Sequence, residues 1–210
     1  MNVEEKEYAS QLLYFLMCSE QIAARCASRQ VVLAPNEKMR KFFTTQASQE
    51  RQHTFIFDKA SRWIRPRGYK QKTYAGLLKF ESKLSNALDR KDLAESIVAQ
   101  QLLFEALGEI TLEKVSSGIE DRGFGFKRIR KTILNQERTH HKFGQKHVAR
   151  ILNAPQFDAQ IVGRQCKEYL EIIDSILTEM EPVLLFYNQS VDIFYQQLIK
   201  ELPESVQAEL

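Results

Sequence analysis

Apolar residues recur every three or four positions along most of the chain, whereas strict alternation of apolar and polar residues is rare. This spacing places apolar side chains on one face of an α-helix, so the pattern predicts an all-α protein. Long helices are expected at about 4–32, 37–63, 92–118 and 127–152, with a shorter helix or crossover at 73–89. Two further helices are expected at about 158–180 and 183–202. The expected fold is a four-helix bundle with a crossover and two additional C-terminal helices.

Proline and glycine residues set the expected helix ends. Pro35 cannot continue a helix, and Asn36 can cap the next one. The segment "RPRGY" ends the second helix and "GIEDRGFGF" is expected to be a loop, while Pro182 suits the first turn of the last helix. No linker divides the chain, so residues 1–210 are expected to form a single domain, with a core bundle at about 4–152 and C-terminal helices at about 157–202.

Each of the four long helices carries a glutamate in the middle of its apolar face, and two of these glutamates are followed at i+3 by a histidine on the same face. These residues are Glu20, Glu50, His53, Glu105, Glu137 and His140. Burying an unpaired carboxylate costs several kcal/mol, which is severe against a total stability of about 5–15 kcal/mol. Two neutral imidazoles cannot offset four carboxylates, but two divalent cations can.

The spacing of the six residues repeats along the chain. Glu50 follows Glu20 by 30 residues, and Glu137 follows Glu105 by 32 residues. A Glu-x-x-His motif lets both side chains reach the same ion from one helix. Two such motifs with one glutamate from each of two other helices form the ligand set of di-iron and di-manganese helical bundles. One Glu-x-x-His motif means little in a helical chain, but two in this arrangement predict a di-metal site.

Composition narrows the class of protein. Hydrophobic residues make up 43% and charged residues 27% of the chain, as in ordinary soluble proteins, and the net charge of +3 is too small to indicate a nucleic-acid partner. The three cysteines are far apart and form no C-x-x-C pair, which argues against disulfides and a cysteine-bound zinc ion. The N-terminus does not resemble a signal peptide and no apolar run approaches about 18 residues. We therefore expect a cytoplasmic protein without a membrane span.

Residues 14–152 resemble the ferritin-like di-iron carboxylate superfamily. The segments "SEQIA", "LLFEA" and "QERTHHKFG" are most similar to its oxygen-activating branch, which includes cyanobacterial aldehyde-deformylating oxygenase. The resemblance implies a ferritin-like fold in which Glu50 and Glu137 bridge two metal ions. It implies terminal ligands at Glu20 and Glu105, with His53 and His140 each binding one ion. Gln136 departs from the pattern, because many relatives carry an aspartate there that contacts a metal-bound histidine.

This resemblance implies a non-haem di-iron oxygenase or oxidase that uses dioxygen on a small, largely apolar organic substrate. The cofactor would be two iron ions, with manganese or a mixed manganese–iron pair as the alternative. The chain has no rubredoxin-like cysteines, so an external electron donor such as a ferredoxin is expected, and the protein would be a monomer or a homodimer. A ferroxidase or iron-handling protein is the alternative function. A tRNA-modifying hydroxylase is a further alternative that the small net charge does not favour.

The remaining polar residues and basic segments are expected to lie outside the set of metal ligands. His141 is rotated by ~100° from its neighbour His140 and is expected to face the surface or the outer part of the site. His147 is expected at a polar rim, Glu109 on the solvated face and Tyr14 in aromatic packing. The basic runs at 62–70 and 122–131 are expected to be solvated helix ends. The C-terminal helices are expected to cover an apolar substrate space.

Overall fold

A computed structural model describes residues 1–120, 127–152 and 159–208, and this part of the chain contains helices and no β-strand, which confirms the all-α prediction. None of the helices in these ranges is long and apolar enough to cross a bilayer. The elements are α1 (Val3–Leu33), α2 (Glu37–Ile64), α3 (Ala75–Asp89), α4 (Leu93–Ile97), a π-helical segment (Val98–Phe104), α5 (Glu105–Glu120), α6 (Lys127–Leu152), α7 (Ala159–Phe186), α8 (Val191–Lys200) and α9 (Glu204–Gln207).

Side-chain caps fix the beginnings of α2 and α4. The Asn36 side chain accepts a hydrogen bond from the backbone N–H of Met39 at 3.0 Å, and the Asp92 side chain accepts one from Glu95 at 2.9 Å. Both side chains satisfy N–H groups that have no partner within their helix. Residues 118–120 belong to α5, so the prediction of a loop beginning at Gly118 was wrong. Positions 121–126, which belong to that loop and in part to the second basic run, lie outside the described residues. So do positions 153–158, between the helices predicted at 127–152 and 158–180.

Two antiparallel helix pairs form the framework of the site. In the first pair, Ser10 of α1 and Ser61 of α2 bond at one end, and Arg51 donates to Ser28 further along. In the second pair, α6 packs along α5 and the π-helical segment. Helix α7 covers the assembly by packing against α3, the π-helical segment and α1, while α8 contacts α5. The two pairs face one another across a buried interior.

The π-helical segment interrupts the long helix predicted for 92–118. Its hydrogen bonds span five residues rather than four, and the backbone N–H of Glu105 donates to the carbonyl of Gln100. All seven residues of the segment are buried. In this wider turn Gln100, Gln101 and Glu105 all face the interior. In a regular α-helix each residue is rotated by ~100° from the one before it, so Gln100 and Glu105, five residues apart, would lie on different faces. The prediction of one uninterrupted α-helix here was therefore wrong.

Helix α6 packs directly against the backbone of the π-helical segment at Gly144. A Cβ atom at this position would lie 2.5 Å from the carbonyl carbon and oxygen of Gln101 and 2.7 Å from the backbone nitrogen of Leu102. Only glycine fits such a contact between two backbones. The distance between these two elements is therefore set by the absence of one methyl group.

The C-terminal helices differ from the prediction of 158–180 and 183–202. Helix α7 continues through Pro182 to Phe186, and the chain turns at Asn188, whose φ is 57°. Pro182 is exposed, so the hydrogen bond that its ring removes is lost on the solvent side. Val183 and Leu184 continue the buried face of the same helix, and Tyr187 directly after it is also buried. Their burial outweighs the helix-breaking tendency of the proline.

Candidate metal centre

The structure brings the six predicted residues together at the centre of the two helix pairs. All six are buried, with at most 7% of any residue exposed. They form two groups in which one potential ligand atom from each residue lies within 4.8 Å of those of the other members. The first group contains Glu20, Glu50, His53 and Glu137, and the second contains Glu50, Glu105, Glu137 and His140. Glu50 and Glu137 belong to both groups; the assignment of any residue to a metal ion stays a prediction.

Glu50 directs one carboxylate oxygen to each group. Its Oε2 atom lies 2.9 Å from Nδ1 of His53, and its Oε1 atom lies 2.9 Å from Nδ1 of His140. The first group continues with Glu137 Oε1 at 3.2 Å and Glu20 Oε2 at 3.4 Å from His53 Nδ1. In the second group, Glu105 Oε2 lies 3.3 Å from His140 Nδ1. A carboxylate divided in this way can bridge two ions.

Several atoms of the cluster are close to one another without being hydrogen bonded. Both oxygens of Glu50, Nδ1 of His53 and Oε1 of Glu137 are buried and lack a partner with hydrogen-bond geometry in the described part of the chain. Ligands at right angles around an ion with bonds of about 2.1 Å would be about 3 Å apart. The observed spacings match that value, and a bound cation would satisfy these orphaned atoms. Carboxylate oxygens with imidazole nitrogens suit iron or manganese better than thiolate-seeking metals.

Two glutamines orient the imidazole rings. Oε1 of Gln136 lies 2.7 Å from Nε2 of His53, and Oε1 of Gln49 lies 2.9 Å from Nε2 of His140. A carbonyl oxygen can only accept, so each Nε2 atom donates and each Nδ1 atom faces the cluster. Gln136 thus supplies the acceptor that an aspartate would supply in the related pattern. Gln49 was not anticipated; its position four residues before His53 and one before Glu50 gave no distinctive signal.

A buried chain of glutamines holds Glu105. Its Oε1 atom accepts hydrogen bonds from Gln46 at 2.7 Å and Gln100 at 2.8 Å, which leaves Oε2 directed at the cluster. Gln101 donates to Gln46 at 2.9 Å and exchanges amide hydrogen bonds with Gln30. This network lies between α1, α2 and the π-helical segment. Sequence reasoning missed it, although Gln101 occupies an apolar face where a glutamine is unexpected.

His141 and Glu109 form a separate buried contact outside the cluster. Nδ1 of His141 lies 3.1 Å from Oε2 of Glu109, and Arg138 donates to the other oxygen of Glu109 at 3.1 Å. Only 3% of His141 is exposed. The expectation that His141 lies outside the cluster agrees with this position. Of the two places expected for it, the surface was wrong, because Glu109 of α5 and Glu201 at the end of α8 lie beside it. Glu109 is half-buried rather than on a solvated face.

Protons can occupy the cluster when metal does not. Burial raises the pKa of Glu20 to about 8, and burial together with Glu20, Glu105 and Glu50 raises the pKa of Glu137 well above its ordinary value. Burial opposes protonation of His140, but Glu105 and Glu50 outweigh it and raise its pKa to about 10. Glu50 behaves oppositely: burial disfavours its charge, yet His140 and His53 lower its pKa. Metal ions and protons therefore compete for the same atoms.

The stability of the metal-free protein should fall as pH rises from about 5 to about 10. Glu20, raised from 4.5 to about 8, and His140, raised from 6.5 to about 10, bind more protons in the folded state than in the unfolded state within this window. Their stabilising contribution is present below the unfolded pKa and is lost as pH passes the folded pKa.

Added Mn²⁺ should raise Tm more at pH 8 than at pH 6, because fewer protons must be displaced. Thermal unfolding at constant ionic strength measures both effects. Glu20→Gln should flatten the pH profile, and a metal-free Tm that rises from pH 6 to 8 would contradict the prediction.

Gln136→Leu should weaken metal binding on the His53 side by about tenfold or more, since residues that orient a metal-bound histidine carry effects of this size. Leucine has a similar size but cannot accept the hydrogen bond from Nε2 of His53. Gln136→Glu keeps an acceptor and should retain wild-type affinity. Anaerobic calorimetric titration with Mn²⁺ resolves the two sites. Equal affinities in the two variants would show that the hydrogen bond plays no part in binding.

A small cavity adjoins the cluster on the side of α1 and α5. Its volume is about 20 Å³, enough for one water-sized molecule. Its polar wall consists of Gln100 with the carboxylates of Glu20, Glu105 and Glu137, and its other walls are mainly apolar, including Phe15, Leu16, Ala23, Phe104 and Leu107. Gly108 leaves this wall open, since a Cβ atom there would lie 3.3 Å from Oε2 of Glu137. A diatomic or water-sized ligand can therefore lie beside the carboxylates.

Comparison with protein-family models and with curated protein sequences gives no match for this chain. The class of the site therefore follows from its own geometry. An all-helical fold and two buried groups that share Glu50 and Glu137 define a candidate di-metal carboxylate centre.

Proposed function

We propose that this chain is a ferritin-like, non-haem di-iron oxidoreductase that uses dioxygen. The observation that carries the proposal is the buried cluster in which Glu50 directs one oxygen to each of two metal-sized groups. Four carboxylates and two neutral imidazoles neutralise two divalent cations. The glutamine contacts at Nε2 of both histidines support the same assignment, because they leave the Nδ1 atoms for the ions.

Two ferrous ions bound here would supply electrons and a binding position for dioxygen. The protein residues set the conditions for that chemistry. Glu20 and Glu105 each complete one group, and the amides of Gln46 and Gln100 hold Glu105 with a single oxygen free. The apolar walls around Phe15 and Phe104 limit the water next to the site. We propose an oxygenase or oxidase reaction on a small, largely apolar organic substrate, in keeping with the mainly apolar walls beside the carboxylates.

Electrons for repeated turnover would come from an external donor such as a ferredoxin. The three cysteines, Cys18, Cys26 and Cys166, are free thiols. Cys26 and Cys166 are buried, and burial raises the pKa of the Cys166 thiol to about 12, so it stays protonated. These thiols do not form a group that could hold an iron–sulfur centre of their own.

The proposal is tested by loading the metal-free protein anaerobically with ferrous iron and then adding dioxygen. We expect two iron ions per chain, rapid dioxygen uptake and a monomer or homodimer by size-exclusion chromatography with light scattering. His140→Gln should abolish the uptake, whereas His141→Gln, its buried neighbour outside the cluster, should retain it. A closed multi-subunit shell that accumulates iron would instead support the ferroxidase function. Wild-type uptake in His140→Gln would contradict both.

A further inference from the structure

A groove of about 570 Å³ lies on the surface between the beginning of α2 and the C-terminal half of α6. Its volume falls within the range of about 300–1,000 Å³ typical of small-molecule sites. The walls and rim include Lys38, Phe42, Lys142, Phe143, Lys146 and Arg150; we call this the basic groove. It lies apart from the small cavity beside Glu20, and the two have no lining residue in common.

The charge of the basic groove has one sign. Lys38, Lys142, Lys146 and Arg150 carry four positive charges, and no described residue of its lining is acidic. None of these four side chains forms an ion pair within the described part of the chain. A second basic surface, at Arg25 and Arg29, differs because Glu81 and Asp89 neutralise those arginines. A concave surface with unneutralised cations attracts an anion.

The floor of the basic groove is aromatic. The rings of Phe42 and Phe143 stack with centroids 3.7 Å apart and planes 10° apart. The ring of His147 continues the stack at 5.9 Å from Phe143. Burial, and then the charge of Arg150, lower the pKa of His147, so this ring is neutral at neutral pH. The groove therefore offers a neutral, largely apolar floor within a cationic rim.

We propose that the basic groove binds a small organic anion, in which a carboxylate or phosphate group contacts the lysines and an apolar body packs on Phe42 and Phe143. Ammonium and guanidinium groups recognise both kinds of anion, and the aromatic stack selects against a purely inorganic ion. The groove also contacts the metal centre, because the Phe42 ring packs edge-on against His140 with centroids 6.1 Å apart. This site goes beyond the proposed oxidoreductase function and does not require bound metal.

The test is calorimetric titration of the metal-free protein with decanoate, decanol and phenyl phosphate. We expect decanoate to bind, and to bind at least about tenfold more tightly than decanol at low salt, with the difference shrinking as sodium chloride is added. The double variant Lys142→Gln, Lys146→Gln should weaken decanoate binding by about tenfold. Phenyl phosphate binding tighter than decanoate would assign the ligand to the phosphate class, and the reverse to the carboxylate class.

The matched control is Lys79→Gln, Lys167→Gln, which removes two exposed lysines outside the groove. This variant should bind decanoate as the wild type does, and thermal unfolding should show that both double variants are folded. The proposal is overturned if neither anion binds the wild-type protein, if decanol binds as tightly as decanoate, or if the two double variants weaken binding equally. These outcomes are independent of iron loading and therefore separate this proposal from the proposed function.

Discussion

Glu50→Gln is expected to reduce the metal content from two ions per chain to less than one. Glu50 is the carboxylate that lies 2.9 Å from both imidazole Nδ1 atoms, so its replacement affects both groups. Glutamine has nearly the same shape but lacks the charge and the second acceptor oxygen that a bridge requires. Since even residues behind the ligands change metal affinity by 10–100-fold, we expect a loss of at least about 100-fold for Mn²⁺.

Glu20→Gln and Glu105→Gln provide the comparison. Each of these residues belongs to one group only, so each variant should retain about one ion. His141→Gln is the matched control for loss of a buried polar contact, and it should retain two. Metal content after desalting, measured by elemental analysis, and anaerobic calorimetry provide the readout. Two tightly bound ions in Glu50→Gln would refute the shared-carboxylate arrangement.

Gly144→Ala should destabilise the fold by about 2 kcal/mol, which corresponds to a Tm lower by about 4–8 °C for a chain of this length. The new Cβ atom would lie 2.5 Å from the carbonyl carbon and oxygen of Gln101. These are backbone atoms, so no change of side-chain rotamer relieves the contact and α6 must move away. The cost of about 3 kcal/mol for overpacking exceeds the gain of about 1 kcal/mol for replacing glycine by alanine in a helix. Because α6 carries Glu137 and His140, metal affinity should also fall.

Gly108→Ala is the comparison variant, because it narrows the small cavity beside the site without forcing two backbones apart. Its Cβ atom would meet only the carboxylate end of Glu137, at 3.3 Å. We therefore expect an unchanged or higher Tm, with slower dioxygen uptake because the small cavity is narrowed. Calorimetric unfolding measures the first quantity and an oxygen electrode the second. A Tm decrease in Gly108→Ala equal to that in Gly144→Ala would show that the backbone contact at Gln101 is not the cause.

The six residues of the centre could be predicted because burial makes their positions unusual. A glutamate such as Glu50 in the middle of an apolar helix face requires compensation, and His53 at i+3 indicates what kind. Helix beginnings were equally accessible, since Asn36 and Asp92 are local capping signals. These predictions depend on interactions within a few residues or on a strong energetic cost, both of which are visible in one sequence.

The predictions that failed depend on contacts between distant segments. Pro182 is a local helix breaker, but Val183 and Leu184 bury the same face that precedes it, and this packing cannot be read from the proline. For His141 the sequence left both the surface and the outer part of the site open, because its rotation from His140 says nothing about what lies opposite. Glu109, 32 residues earlier in sequence, provides the partner. The glutamine chain from Gln30 to Glu105 was missed because burying a neutral amide costs much less free energy than burying a carboxylate, so its position in the sequence is less conspicuous.

The π-helical segment also bears on how such a centre could arise. Its hydrogen-bonded turns enclose one residue more than α-helical turns, which is the geometric effect of adding one residue to a regular helix. Without that residue, everything before the segment would turn by ~100° relative to Glu105, and Gln100 would no longer reach the carboxylate. Deleting one residue between Val98 and Phe104 should therefore keep all six glutamate and histidine residues but remove the hydrogen bond from Gln100 to Glu105, leaving the bond from Gln46.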